Sequence, residues 1–419
     1  MKRTISPNKL LIGLFILSPT QLNAQSFIFQ GINQIADSGA GQTNASDASA
    51  ATSNPAGLAL ISKTASYADI SAMAVRYTYA HTNYDPVTIR TNAPPANLGV
   101  NINTKRGINL GLMFAPRSVP GAKPMNVDNV PTYTGAGYAL FDLKVKQTGM
   151  IAALGGAGRI GESPFSIGFS VLYGQDGQEI TAYADEGDHT IPGMDTKYEG
   201  SSYQGVLGVR YEKESYILGL SFRSASERHY KGDLASTVSD NVYTDYDGVS
   251  YQPAMLAAAY ESKGSSIGGL IELNREFWSR GRSIANRGLP YASSETDFKD
   301  TIGVMMAMRY YGDMSRIYSL SCGYYSANTG DGRPSATPTT TLAESEIPAS
   351  SGMEFGQMEA IPRYVFGGGF KQRLSNYTGY WMISGNYQTG TRVVPPGHKG
   401  EGWYHLDIYT LSTGLTTNF

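Results

Sequence analysis

Two short motifs in the chain have the spacing of known chemical sites. Gly156–Gly161 reads GxGxxG, the pattern of a dinucleotide-binding turn, and Gly264–Gly268 reads GxSxG, the pattern around a nucleophilic serine. Both patterns need a helix directly after a strand, because that junction presents the phosphate-binding N–H groups or the serine hydroxyl. Neither motif is followed by helical periodicity. Both therefore predict glycine-rich turns.

Histidine and cysteine residues are too scattered to indicate a metal centre. No two of the histidines have metal-ligand spacing, and the single cysteine has no disulfide partner in the chain. The residues concerned are His81, His189, His229, His398, His405 and Cys322. With no nucleotide or metal motif either, we expect no cofactor, no metal and no catalytic residue.

Several charged residues lie within otherwise apolar stretches, where a charge needs a partner or a ligand. The basic ones can hold the carboxylate of an otherwise apolar ligand by charge-assisted hydrogen bonds. The alternative is a solvated or mutually paired lining. The candidate ligand-binding bases are Lys144, Lys146, Arg223 and Arg309, and the acidic residues in the same setting are Glu272 and Glu276.

The elements that would position these residues are β-strands. After Thr64, stretches of about ten residues alternate apolar with small or polar side chains, which is the period of a strand. In Phe165–Tyr173 the odd positions are large and apolar, whereas the even positions include Ser166 and Gly168. One face then suits lipid and the other suits a lumen.

Connections of two lengths alternate along the chain. Short turns are predicted near residues 105–106, 158–163, 212–215, 262–265, 312–315 and 374–377. Long polar loops are predicted near residues 83–93, 118–137, 181–198, 232–247, 281–297, 328–359 and 392–402. Short periplasmic turns and long external loops are typical of bacterial barrels, and this number of connections predicts about fourteen strands. The fold class is therefore an all-β, transmembrane antiparallel barrel.

Composition agrees with a barrel and excludes other classes. The chain has 49 glycines and 29 tyrosines, and only 16% of its residues are charged. Its net charge of -2 has no basic excess of the kind that nucleic-acid binding requires, so we expect no nucleic-acid partner.

The N-terminus has the form of a secretory signal peptide. Lys2 and Arg3 precede the apolar run Leu10–Leu17, and cleavage is expected after Ala24. No later stretch is long and apolar enough for a membrane helix. We divide the chain into a signal peptide (1–24), a segment of small residues (25–63) and a barrel (64–419). The middle segment is either a disordered linker or a plug inside the barrel.

The C-terminus predicts a partner in assembly. Tyr409, Leu411, Leu415 and the terminal Phe419 share one face of a final strand. A terminal aromatic residue closing an amphipathic strand resembles the signal that barrel-assembly machinery recognises. We expect loss of Phe419 to impair assembly but not export.

Two groups of motifs resemble the FadL family of outer-membrane channels for fatty acids and hydrocarbons. The first is Asp47–Ala51 followed by Asn54–Leu58, which is similar to the NPA motif of that family's N-terminal hatch. The second is Gly219–Ser224 followed by Tyr230–Asp233, which resembles a strand-and-loop signature of the family. The resemblance runs from the mature N-terminus to Phe419.

The resemblance implies a passive, monomeric channel in the Gram-negative outer membrane, surrounded by outer-membrane lipid and carrying a hydrophobic ligand. A hatch formed by residues 25–63 would plug the barrel. The ligand would be captured from outside, move to an internal pocket and leave sideways at a kinked third strand. Phe114, Ala115 and Pro116 would form that kink, because proline removes a ladder hydrogen bond. Asn54, Pro55 and Ala56 would form the gate, with the Asn54 amide satisfying backbone groups at the kink.

Long-chain fatty acids are the first ligand class that the resemblance implies, with alkanes and aromatic hydrocarbons as alternatives. The chain departs from the family pattern around Ile361–Arg363, where the family's acidic residues are missing, and over the long unmatched segment 343–359. Two other functions stay open. One is an outer-membrane lipase or deacylase, and the other is a barrel that serves as a secretion or docking partner.

Overall fold

The structure is a computed structural model. It describes residues 45, 47–80, 86–93, 96–104, 107–116, 125–133, 138–185, 190–236, 241–280, 284–287, 293–295, 299–313, 315–327, 337–338, 361–374, 379–394 and 402–418. The predicted signal peptide, the first part of the predicted plug and Phe419 lie outside these residues. Within them, no helix is long and apolar enough to cross a membrane.

Strands make up almost all of the described chain. In chain order they are β1 Ala65–Ala80, β2 Val87–Ala93, β3 Ala96–Asn103, β4 Ile108–Pro116, β5 Met125–Tyr133, β6 Tyr138–Arg159, β7 Phe165–Asp185, β8 Thr190–Glu212, β9 Tyr216–Arg223, β10 Ser226–Ser236, β11 Asn241–Gln252, β12 Met255–Ser262, β13 Ile267–Glu276, β14 Ile284–Arg287, β15 Ser293–Glu295, β16 Thr301–Asp313, β17 Arg316–Tyr325, β18 Thr337–Pro338, β19 Arg363–Arg373, β20 Gly379–Val394 and β21 Gly402–Asn418.

These strands form one closed antiparallel barrel. Strands pair antiparallel with those that precede and follow them along the chain, counting two consecutive segments as one barrel strand where a strand is divided. β1 pairs with β21 from Ala65↔Asn418 to Ala80↔Trp403, which closes the sheet. Seven barrel strands are continuous, and seven are divided into two consecutive segments, such as β2 with β3 and β9 with β10. The barrel therefore has fourteen strands, and the predicted fold class is confirmed. Closure leaves no unpaired sheet edge for lipid to meet.

The alternation of side chains is also confirmed. On β9, Leu218, Leu220 and Phe222 point outward and are exposed, whereas Ser221 and Arg223 point inward and are buried. The outward face is apolar because it must match hydrocarbon, and the inward face tolerates small and polar groups.

The predicted turns and loops fare differently. The short turns lie between strands where they were expected. The GxGxxG motif ends in the turn between β6 and β7, and the GxSxG motif begins in the turn between β12 and β13. The predicted long loops 83–93, 181–198 and 232–247 are wrong, because β2, the β7–β8 hairpin and the β10–β11 hairpin run through most of them. Backbone pairing continues beyond the apolar band, where both faces can be polar and the alternation that marks a strand disappears.

The two described segments of the third barrel strand are out of register with each other against β6. The first segment, β4, pairs with β6 up to Pro116↔Met150, and the second segment, β5, resumes at Met125↔Val145. The chain advances nine residues from 116 to 125, whereas β6 advances five from 150 to 145. The third strand therefore holds four residues more than its partner at this point, directly after Phe114–Pro116.

Aromatic side chains form two outward-facing belts. One follows the short-turn end, where neighbouring rings lie 4.6–6.3 Å apart. Its rings are those of Phe165, Tyr211, Tyr216, Tyr260, Tyr310, Tyr318 and Phe370. The other consists of the pairs Tyr173–Tyr203, Tyr324–Tyr364 and Tyr387–Tyr409. The belts are six to eight residues apart, or about 20–26 Å along a strand, as girdles at two lipid interfaces would be.

Candidate functional site

Residues 47–61, here called the hatch segment, form two short 3-10 helices before β1. Asp47 caps the first helix, Ala48–Ala51, by accepting a hydrogen bond from the Ser49 backbone N–H at 2.9 Å. Asn54 caps the second, Pro55–Leu60, because its Oδ1 accepts from the Ala56 N–H at 3.2 Å. Proline in the first turn needs no N–H donor there, so the Asn-Pro pair starts this helix.

The hatch segment is buried against the inward face of the barrel. Ala48, Ala50, Ala51, Ala56 and Leu58 have no exposed surface. Of these, Ala48, Ala50, Ala51 and Leu58 pack in a cluster with the inward-facing side chains Met113, Ala115, Ile151, Ala153, Ala157, Leu172 and Val206. Small hatch residues allow its backbone to approach the wall closely, which explains the composition that first set this segment apart.

Glycines in the wall make room for the hatch segment. A Cβ atom at Gly208 would lie 1.8 Å from Asn54 Oδ1, and one at Gly168 would lie 2.4 Å from the Pro55 carbonyl carbon. A Cβ atom at Gly111 would lie 2.6 Å from Leu58 Cδ2. The sequence analysis missed these positions. A glycine inside an alternating strand is the signal that could have identified them, since it marks a close approach of another backbone.

Asn54 contacts the barrel wall through its side-chain amide. Its Nδ2 donates to the carbonyls of Val209 at 3.3 Å and Leu220 at 3.4 Å, on β8 and β9. These contacts place the amide against β8 and β9, and the prediction that it also satisfies backbone groups at the Phe114–Pro116 kink stays a prediction. The turn presents the amide to the wall beside Gly208, where the missing side chain leaves space for it.

Two further side chains tie the hatch segment to the barrel. Arg223 on β9 donates from Nη2 to the Thr52 carbonyl at 3.2 Å. On the third strand, Asn109 donates from Nδ2 to the carbonyls of Leu58 and Ile61, both at 2.9 Å. The hatch segment is thus held from the seventh and the third barrel strands, and sequence analysis did not identify Asn109.

The structure describes the side chains of two of the four predicted ligand-binding bases, Arg223 and Arg309. Arg223 is buried and bonded to the hatch segment, and Arg309 pairs with Glu261 at 2.7 Å. The backbones of Lys144 and Lys146 belong to β6, but their side chains lie outside the described residues. Arg223 thus anchors the hatch segment, and Arg309 forms an ion pair within the barrel wall.

Charged side chains also line the inner wall near the short turns. Arg210 pairs with Glu212 at 3.3 Å, Lys263 bonds to the same carboxylate, and Arg309 pairs with Glu261. Arg210 is buried despite its charge. This paired polar layer is unfavourable to an uncharged apolar molecule moving straight along the barrel axis.

A second polar group lies on the inner wall further along the barrel. Asn274, Gly303, Tyr325 and Arg363 are consecutive partners on four neighbouring strands, and each is buried. The Arg363 guanidinium lies 5.4 Å from the Tyr325 ring centre. This row provides a buried base that sequence analysis did not select.

The predicted kink residues border the hatch segment. Ala115 faces inward, is buried, and belongs to the same apolar cluster as Ala48 and Leu58. Phe114 faces outward and is 39% exposed. The described ladder from β4 to β6 ends at Pro116, whose side chain lies outside the described residues. This ladder therefore ends one residue beyond a position that touches the hatch cluster.

Fold and site together define a fourteen-stranded barrel with a segment docked against its inner wall. No protein-family model and no curated protein sequence matches the chain. Solved structures do: a FadL homologue from Pseudomonas aeruginosa has a TM-score of 0.70 at 14% identity, covering 93% of this chain and 98% of that one.

Two toluene transporters have similar structures. TbuX from Ralstonia pickettii has a TM-score of 0.62 at 12% identity, covering 93% of this chain and 98% of its own. TodX from Pseudomonas putida has a TM-score of 0.56 at 11% identity, covering 88% and 94%. At such identities the likeness establishes the fold. The chain has the FadL-type barrel fold, as its motifs indicated, and these similar structures are of transport proteins rather than enzymes.

Proposed function

We propose that this protein is a passive transporter for hydrophobic small molecules in the outer membrane of a Gram-negative bacterium. The observation that carries the proposal is the contact, through one buried apolar cluster, between the hatch segment and the third strand with its two out-of-register segments. The similar structures, a FadL homologue and two toluene transporters, support the same ligand class. The two aromatic belts support the location.

Long-chain fatty acids are the first ligands we propose, ahead of alkanes and aromatic hydrocarbons. Each CH₂ group of an acyl chain gains about 0.8 kcal/mol when it leaves water for an apolar setting. A route from the lumen sideways into lipid keeps that gain, whereas a straight route past Arg210, Glu212 and Lys263 would lose it. The four additional residues of the third strand mark the proposed exit.

The proposed exit can be tested by removing four residues from segment 117–124. This deletion would bring β4 and β5 into one register against β6. We expect uptake of radiolabelled oleate by intact cells to fall to the level of cells without the protein, while heat-modifiable mobility shows a folded barrel.

A matched deletion of four of the seven residues 395–401, which connect the paired residues Val394 and Gly402, should leave uptake unchanged. Wild-type uptake after closing the third strand would contradict the lateral route. If no form of the protein gives ligand-dependent uptake, the alternatives of a lipase, a deacylase or a docking partner are favoured. Release of free fatty acid from an ester would then distinguish the two enzymes from the docking partner.

A further inference from the structure

The outward face of the barrel carries a charged group that transport does not use. Asp407 points outward from β21, yet it is buried by its neighbours. Its carboxylate pairs with Arg76 at 3.1 Å and with His405 at 3.1 Å, and it accepts a hydrogen bond from the Tyr387 hydroxyl at 2.7 Å. Arg76 is the direct partner of Asp407 across the β1–β21 pair, so both stand on the outer wall.

This group lies at the height of a lipid interface. Tyr387 and Tyr409 are stacked at 4.9 Å in the second aromatic belt, and Asp407 is two residues further toward the long-loop end. Trp403, still nearer that end, stacks on His405 at 5.3 Å. A charge is costly on a lipid-facing wall but much less so at its edge. The Arg76 side chain, 48% exposed, therefore faces the headgroup region of the outer leaflet.

An apolar groove begins next to the charged group on the same outer wall. Its volume is about 830 Å³, within the range of ligand pockets. The floor consists of residues with little or no side chain, namely Ala72, Ala74, Gly368 and Gly385. Larger side chains border it, namely Phe366, Tyr387, Tyr409 and Leu411. The groove runs from the belt toward the middle of the apolar band.

We propose that this groove binds an acyl chain of a phosphorylated glycolipid of the outer leaflet, with a phosphate group at Arg76. An arginine guanidinium has five N–H donors, so Arg76 can keep its bond to Asp407 and donate to a phosphate as well. Both ring nitrogens of His405 are engaged, Nε2 with Asp407 and Nδ1 with the Thr391 hydroxyl, so His405 helps to fix the carboxylate. Asp407 in turn holds Arg76 in place and lowers the cost of keeping it at the edge of the apolar band. The proposal rests on the membrane location given above, but not on transport.

The test uses the purified full-length barrel with lipid A, the phosphorylated and acylated anchor of such glycolipids, and counts bound lipid by native mass spectrometry. A basic residue near a membrane surface contributes about 1 kcal/mol to binding an anionic lipid, so Arg76→Gln should bind about fivefold less tightly. The matched control is Arg316→Gln. Arg316 is an exposed arginine at the start of β17, at the short-turn end of the barrel, whereas Arg76 is near the long-loop end. Binding by this control should equal wild type.

A second pair of variants tests the groove itself. Ala74→Leu fills the floor and should reduce binding several-fold, whereas Ala68→Leu, outside the groove on the same face of β1, should not. Both residues point outward, so neither change disturbs the hatch segment. Dephosphorylated lipid A should bind wild type as weakly as lipid A binds Arg76→Gln.

Equal binding by Arg76→Gln and Arg316→Gln would overturn the phosphate site, and equal binding by the two leucine variants would overturn the groove. Capture of oleate in place of lipid A, or a dimer lost on Ala74→Leu, would also overturn it by assigning the groove to the transported ligand or to a second copy. Oleate uptake by the same variants is measured separately. Absent uptake with intact lipid binding would defeat only the proposed function.

Discussion

Asn54 combines two roles that can be separated by substitution. Its Oδ1 caps the helix Pro55–Leu60, and its Nδ2 donates to the carbonyls of Val209 and Leu220. A cap and each neutral hydrogen bond contribute about 1 kcal/mol apiece, so Asn54→Ala should weaken docking of the hatch segment by about 2–3 kcal/mol. Hydrogen exchange over residues 47–61 measures this loss, and the melting temperature of the barrel should not change.

Asn54→Asp provides the discriminating comparison. Aspartate keeps the cap but places a carboxylate against two carbonyl oxygens, so we expect exchange at least as fast as in Asn54→Ala. Protection equal to wild type in Asn54→Asp would show that only the cap matters. Oleate uptake by the two variants is then measured at matched surface levels. Comparing uptake with hydrogen exchange shows whether weaker docking of the hatch segment changes transport through the proposed gate.

Gly208 gives a second prediction for the same contact. Gly208→Ala would place a Cβ atom where Asn54 Oδ1 now lies, so it should displace the Asn-Pro turn and raise exchange over the hatch segment. The control is Gly205→Ala on the same strand, where the nearest atom to an added Cβ lies 3.6 Å away. Equal exchange in the two variants would contradict the close approach of hatch and wall.

The sequence predicted these functional residues unevenly. Asn54 and Pro55 were identified because cap chemistry is local. Arg223 was selected as a ligand-binding base, but it bonds to Thr52, which lies 171 residues away in the chain. A base in an alternating strand shows only that the residue faces inward. The partner of an inward-facing base depends on which part of the chain fills the lumen. The two-residue alternation of a strand does not indicate which part that is.

The strands themselves were predicted well within the apolar band and poorly beyond it. The fourteen strands and their short turns follow from alternation and glycine-rich turns, both of which the lipid boundary imposes. Outside that boundary the hairpins of β7 with β8 and of β10 with β11 continue with polar residues on both faces. Their pairing depends on backbone hydrogen bonds, which leave no pattern in side-chain type.

A short element after β13 depends on one carboxylate. Asp300 accepts from the Ser279 N–H at 3.0 Å and hydroxyl at 2.6 Å, and from Arg275 at 2.6 Å. Burial opposes ionisation of Asp300, but these bonds to Ser279 and Arg275 outweigh it and lower the pKa of the carboxyl. Its contribution to holding the helix Trp278–Arg280 is therefore present above the ordinary pKa of aspartate and is lost as the pH falls through the lowered value.

Trp278 reports on this element because it is buried and next to Ser279. We expect its fluorescence to change in acid, below the ordinary aspartate range, and Asp300→Asn to show the acid signal already at neutral pH. The acid change should be absent from that variant. An unaltered titration in Asp300→Asn would assign the change to another carboxyl.

The orientation of the whole barrel follows from its two kinds of connection. All the short turns lie at the end where β1 begins and β21 ends, and the long connections lie at the other end. We expect an epitope tag between Ser236 and Asn241 to be labelled on intact cells, and a tag at Gly161–Ser163 to be labelled only after permeabilisation. Labelling of the second tag on intact cells would reverse the assigned orientation.

The seam between β1 and β21 joins the two ends of the chain. Ala65 pairs with Asn418, so the last sixteen residue pairs of the wall form only after the C-terminal strand has arrived. The hatch segment directly precedes β1 and is bonded to β8 and β9, far from that seam. The hatch segment therefore links the seam strand β1, which it directly precedes, to the sixth and seventh barrel strands on another part of the wall.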